Sequence, residues 1–77
     1  SPYYLSHLFK EELGITFLEY VTRIRMEEAK KLLMDLSLSI LDVSMRVGYD
    51  DPGYFSKVFK KNIGVSPSQY RKQASSA

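Results

Sequence analysis

Shifted by fifty positions, the chain matches itself. SPYYLSHLFKEELGITFLEY, residues 1–20, then lies over DPGYFSKVFKKNIGVSPSQY, residues 51–70. Seven of the 20 pairs are identical: Pro2/Pro52, Tyr4/Tyr54, Ser6/Ser56, Phe9/Phe59, Lys10/Lys60, Gly14/Gly64 and Tyr20/Tyr70. Leu5/Phe55, Leu8/Val58, Leu13/Ile63, Ile15/Val65 and Thr16/Ser66 are conservative. The shared positions include a start, an apolar stripe and a stop. One supersecondary unit therefore occurs twice, and any fold must accommodate the same stripe in two places. The copies differ in what precedes them. Residues 39–50 lead into the second, whereas nothing precedes Ser1. The repeat predicts a matching short helix before Ser1, so that the N-terminal boundary cuts the first unit in half.

The unit is helical. Start and stop marks are dense, and no window sustains strand alternation. Ser1-Pro2 and Asp51-Pro52 each place a capping residue before a proline at the first helical position. Gly14 and Gly64 each follow an amphipathic run, where a left-handed residue ends a helix. Thr16 with Glu19, Ser39 with Asp42 and Ser66 with Gln69 have capping-box spacing, and Pro67 sits just inside a start. These marks predict helices at about 2–13, 17–36, 40–47, 52–62 and 67–73, with a small polar tail, Gln73–Ala77, expected to be disordered.

Residues 39–62 read as helix, glycine turn, helix. Ile40, Val43 and Val47 make one apolar stripe, with the small Ser44 facing the next helix and Gly48 at the turn. Tyr54, Phe55, Val58, Phe59 and Ile63 supply the second stripe. The opposite face of that helix carries Gly53, Ser56, Lys57 and Lys60, and the first copy presents Tyr3, Ser6, His7 and Lys10 at the same spacing. A recognition helix needs this division, one face anchored and the other offering donors to base edges in the major groove. Blander readings exist for each feature alone. Helical hairpins of many kinds share the glycine turn, the aromatic stripe is core, the lysines suit any solvated surface, and His7 can be an incidental surface residue. Two matched polar faces on one short chain favour use in two successive major grooves.

Between the copies, residues 17–36 read as one long helix with Phe17, Val21, Ile24, Ala29, Leu32, Leu33 and Leu36 in apolar contacts on more than one side. Glu27 and Lys31 form an i, i+4 pair in the favourable order. A rigid helix of this kind can hold two recognition helices about 34 Å apart, one turn of B-DNA.

Composition narrows the function. The 77 residues contain no cysteine and one histidine, which leaves little for a metal site or a thiol nucleophile. No apolar run approaches a membrane span and nothing resembles a signal peptide. The first fifty residues carry 6 Lys and Arg against 8 Asp and Glu, and residues 51–77 carry 5 against one. The basic C-terminal third suits an anionic partner. The acids are interleaved with bases on helix faces, with no nucleophile–base pair, so no catalytic residue and no enzyme activity are expected.

The run SILDVSMRVGYDDPGYFSKVFKKNIGVSPSQYRK, Ser39–Lys72, resembles the C-terminal signature of the AraC/XylS family of bacterial transcription regulators. SPYYLSHLFKEELG is similar to that family's first recognition helix, and FLEYVTRIRMEEAKKLL to its linker helix, including the spacing of Arg25, Ala29 and Leu33. The resemblance implies an all-α, homeodomain-like fold: two helix-turn-helix units joined by a long linker helix, within a seven-helix domain whose first two helices are missing here. Residues 1–16 are then the recognition-helix remnant of an incomplete first unit, 17–36 the linker, and 37–77 a complete second unit with its C-terminal helix. It implies base contacts from Tyr3, Ser6, His7, Gly53, Ser56 and Lys57, and phosphate contacts from Lys10, Lys60 and Lys61. Pro52-Gly53 opens the second recognition helix without long side chains, which shifts that site towards the DNA backbone. Ser44 stands where the family has Ala, tolerated if its hydroxyl bonds back to a carbonyl. The expected partners are double-stranded DNA, RNA polymerase and a second copy of the chain through the uncovered face of the first unit, with no cofactor and no membrane, in the bacterial cytoplasm at the nucleoid. The competing reading is a helical protein-interaction module without DNA binding.

Overall fold

The computed structural model describes residues 2–76, and side chains over 3–75. The expected cap at Ser1 and the end of the tail at Ala77 lie outside the described residues. Five helices follow one another: α1 Pro2–Leu13, α2 Phe17–Leu33, α3 Ile40–Arg46, α4 Pro52–Ile63 and α5 Pro67–Ser76. None of them is long and apolar enough to cross a membrane.

The boundaries follow from local hydrogen bonding. Ser39 and Asp42 form a full capping box at α3, and Ser66 with Gln69 makes the same pair of bonds at α5. At α2 the Thr16 Oγ1 accepts from Glu19 N–H, while the Thr16 hydroxyl donates to the Glu19 carboxylate. Asp51 Oδ1 accepts from Gly53 and Tyr54 N–H at 2.9 and 3.3 Å, ahead of Pro52 at the start of α4. Gly14 and Gly64 both take positive φ and both return their N–H to a carbonyl four residues back, Lys10 and Lys60. The two copies thus stop alike.

Two ends differ from expectation. α2 stops at Leu33, three residues early, because Asp35 accepts both the N–H and the hydroxyl of Ser37, which bends the chain into a turn. Leu36 is consequently 68% exposed in that turn. α5 continues to Ser76, within the segment expected to be disordered, with Ala74 half-buried and the Ser75 hydroxyl on the Lys72 carbonyl.

The core lies under the second unit. Met26, Ala29 and Leu33 of α2, Leu38, Val43 and Val47 around α3, and Phe55 and Phe59 of α4 are buried together, with Ile40, Val58, Ile63 and Tyr70 packed against them. Tyr54 was expected in this stripe but is 57% exposed, its ring tilted against that of Tyr49 at 5.9 Å between centroids. In the first unit the ring pair Phe9–Tyr20 at 5.3 Å repeats Phe59–Tyr70 at 5.7 Å. The surroundings do not repeat. Phe59 is fully buried, whereas Phe9 is half-buried against Phe17 and Tyr20, with Leu5 48% and Leu8 39% exposed. Glu27 pairs with Lys30 at 3.3 Å rather than with Lys31, which borders the apolar groove beside α1.

Candidate nucleic-acid interface

The α3–α4 turn sets the angle of the second candidate recognition helix. Its bonds are reciprocal: Tyr49 N–H donates to the Ser44 carbonyl at 2.8 Å, and the Ser44 hydroxyl donates to the Tyr49 carbonyl. The hydroxyl therefore bonds forward across the turn, not back within its helix. That satisfies a fully buried polar group and explains why serine is accepted where a small residue is needed. Gly48 has φ +102°, and a Cβ there would meet the Arg25 guanidinium carbon at 3.2 Å. Arg25 of α2 also lies over the Tyr49 ring, 5.2 Å from its centroid, and Tyr49 in turn meets Tyr54 and Phe55. The linker helix thus grips the turn directly.

On α4, Lys57, Lys60 and Lys61 are exposed and Ser56 is half-buried. None of the three lysines has a hydrogen-bond or ion-pair partner among the described residues. Gly53 is exposed, but its N–H is taken by Asp51, so it offers a close approach and no donor. On α1, Tyr3 is 81% exposed, and it lines a hollow of about 180 Å³ with Ser6, His7, Lys10 and Thr16. The Tyr3 and His7 rings lie parallel within 4°, 6.3 Å apart. His7 Nε2 sits 3.1 Å from the Glu11 carboxylate, an exposed i, i+4 contact. Tyr3, Ser6, His7 and Lys10 are therefore brought together on α1, and Ser56, Lys57 and Lys60 run along α4.

Two arginines escaped the sequence reading of the site. Arg25 was visible only as part of a matched spacing. Arg71 of α5 donates through Nε to the Leu33 carbonyl at 2.8 Å and through a terminal nitrogen to the Asp35 carbonyl at 3.2 Å. It caps the end of α2 and ties α5 to it, and no local pattern signals a contact 38 residues away. Asp35 and Asp42 hold their carboxyls below the usual value. For Asp35 the Ser37 hydroxyl is the main cause, and for Asp42 the Ser39 N–H.

Residues 1–73 match the family described as Helix-turn-helix domain. The chain is 48% identical over 71 residues to the arabinose operon regulatory protein of Escherichia coli K12, covering 92% of this chain and 24% of that protein. It spans about a quarter of the length of the curated relatives it matches. Among solved structures, the C-terminal domain of AraT, a response regulator from Geobacillus stearothermophilus, superposes with a TM-score of 0.88 at 53% identity, over 95% of this chain and 60% of that one. A DNA-binding transcriptional dual regulator from Escherichia coli K-12 superposes with a TM-score of 0.89 at 28% identity, over 100% of this chain and 68% of that one.

Proposed function

Because the chain belongs to the AraC-type helix-turn-helix family of bacterial transcription regulators, we propose that it binds double-stranded DNA sequence-specifically, with α1 and α4 in successive major grooves. The observation that carries this reading is the duplicated polar stripe, Tyr3, Ser6, His7 and Lys10 against Gly53, Ser56, Lys57 and Lys60, on two helices joined by one rigid helix. The molecule measures 42 × 25 × 17 Å, so its long axis spans one B-DNA turn of about 34 Å.

Each side chain has a role suited to its chemistry. Ser6 and Ser56 donate and accept at base edges, Lys57 donates to guanine O6 and N7, and Tyr3 offers ring surface to a thymine methyl. His7, with Nε2 given to Glu11, presents its other edge to a base. Gly53 permits close approach. Lys10, Lys60 and Lys61 meet phosphates, which supply position and most of the affinity. Residues 1–16 act as the reading element of the first unit, 17–36 as the linker and 37–77 as the second unit. The half-exposed face of α1, Leu5 and Leu8, supports a second copy as a further partner.

A titration against a duplex selected by the chain from a random pool tests this. About four phosphate contacts give a slope of log affinity on log salt near −3 to −4. Lys60→Ala weakens all duplexes alike, and Lys57→Ala also relaxes preference at one base position. Binding that does not change between low and moderate salt, or no binding, refutes the reading.

A further inference from the structure

The seam between α2 and α4 carries a cation, Arg23, that the roles above leave unexplained, and it stands there beside Lys61. Arg23 of α2 and Lys61 of α4 border one groove of about 460 Å³, together with Thr22, Tyr54 and Asn62, and an adjoining hollow of about 490 Å³ floored by Met26. Both cations are exposed, and neither has a hydrogen-bond or ion-pair partner among the described residues. For Arg23 this is notable because Glu19 and Glu27 stand one turn to either side of it, and both border the seam. Each is engaged elsewhere, Glu19 with the Thr16 hydroxyl at 3.2 Å and Glu27 with Lys30 at 3.3 Å. The Asn62 amide donates to the Val58 carbonyl at 2.8 Å, which fixes it at the lip of the groove.

We infer that this seam is a phosphate-binding site for the DNA backbone segment that lies between the two major grooves. The inference rests on the DNA-binding reading. If α1 and α4 occupy successive major grooves, the sugar-phosphate strands flanking the intervening minor groove must cross the space between the two helices. The N-terminal half of α2 follows α1 directly and borders the groove on α4, so the seam joins the two helices. Arg23 offers a planar fork suited to a phosphate, and Lys61 adds a point charge from a second helix. Tyr54 and the Thr22 side chain give a sugar a partly apolar wall. The site reads no base, so it adds affinity without preference and pins the linker helix to the duplex. The linker is then a contact element as well as a spacer.

The test uses the full chain and the same selected duplex at 50–200 mM salt. Arg23→Ala is expected to lower the salt slope by about 0.9 and to weaken selected and scrambled duplexes alike, by about fivefold. Arg23→Lys keeps the slope, and Lys31→Ala, two turns along α2 and away from the seam, changes neither. Duplexes carrying a single methylphosphonate between the two grooves locate the contact: the wild-type chain loses affinity at one such position, and Arg23→Ala is insensitive there. Melts show that the exposed substitution leaves the fold intact. A wild-type chain that binds no duplex overturns the DNA reading and this inference with it. Wild-type binding with an unchanged slope for Arg23→Ala, or equal sensitivity of both proteins at every methylphosphonate, overturns this inference alone.

Discussion

Phe9 and Phe59 occupy the same position of the repeat, and truncating each in turn measures how far the two units have diverged. Phe59 is fully buried, with Phe55 and Tyr70 rings at 5.9 and 5.7 Å. Phe59→Ala removes the ring from a packed core and leaves a cavity among α2, α4 and α5, which costs about 3–5 kcal/mol. A chain of this length has roughly 4–12 kcal/mol of total stability at 0.05–0.15 kcal/mol per residue, so the loss is a large share or all of it. The corresponding fall in Tm is roughly 12–40 °C. Phe9 is half-buried, with its ring against Phe17 and Tyr20, so Phe9→Ala costs about 1–2 kcal/mol. Urea unfolding followed by helical circular dichroism reads both, with the slopes compared so that a change in midpoint reports stability. A parent-like midpoint for Phe59→Ala, or an equal cost at the two positions, would refute the assignment of the core to the second unit.

Arg71→Ala strips two carbonyl bonds from the end of α2 and lowers stability by about 1.5–3 kcal/mol, with Arg71→Lys recovering less than half; denaturant midpoints decide. Gly48→Ala costs about 1–3 kcal/mol from positive φ and displaces Arg25, so it exceeds Gly64→Ala, where φ is +100° but no atom lies within 4 Å; equal melts for the two would argue against the Arg25 grip. The Ser39 bonds depress the Asp42 pKa in the folded chain, so their contribution is full above the unfolded value of about 3.9 and is lost as pH falls through the lower folded value. The stability difference between the parent and Asp42→Asn therefore shrinks from pH 5 towards pH 2, and a constant difference would contradict the assignment. Exposed Leu5 and Leu8 predict concentration-dependent association, which sedimentation across a dilution series checks against a strict monomer.

The helix starts and stops were legible in the sequence because their causes are short-range. A Ser39–Asp42 box, an Asp51 cap before Pro52 and a left-handed Gly64 each act within four residues, so spacing alone locates them. The same reasoning overran α2 to Leu36, because apolar periodicity continues past the point where Asp35 captures Ser37. The two polar stripes were likewise visible from helical spacing, and the repeat doubled their weight. Burial was another matter. Leu5 and Phe55, or Phe9 and Phe59, are equivalent in local sequence, yet only the second member of each pair is enclosed, because α2, α3 and α5 converge on α4 while α1 packs on α2 through Phe9. The grip of Arg25 on the α3–α4 turn, the Arg71 cap on α2 and the groove shared by Arg23 and Lys61 also bring together residues more than twenty positions apart. Periodicity reports which face of a helix is apolar; it carries no information on which other helix covers that face, or on which charged side chains close up when it does. Those are decided by the packing of α2 against the rest, and only the tertiary structure contains it.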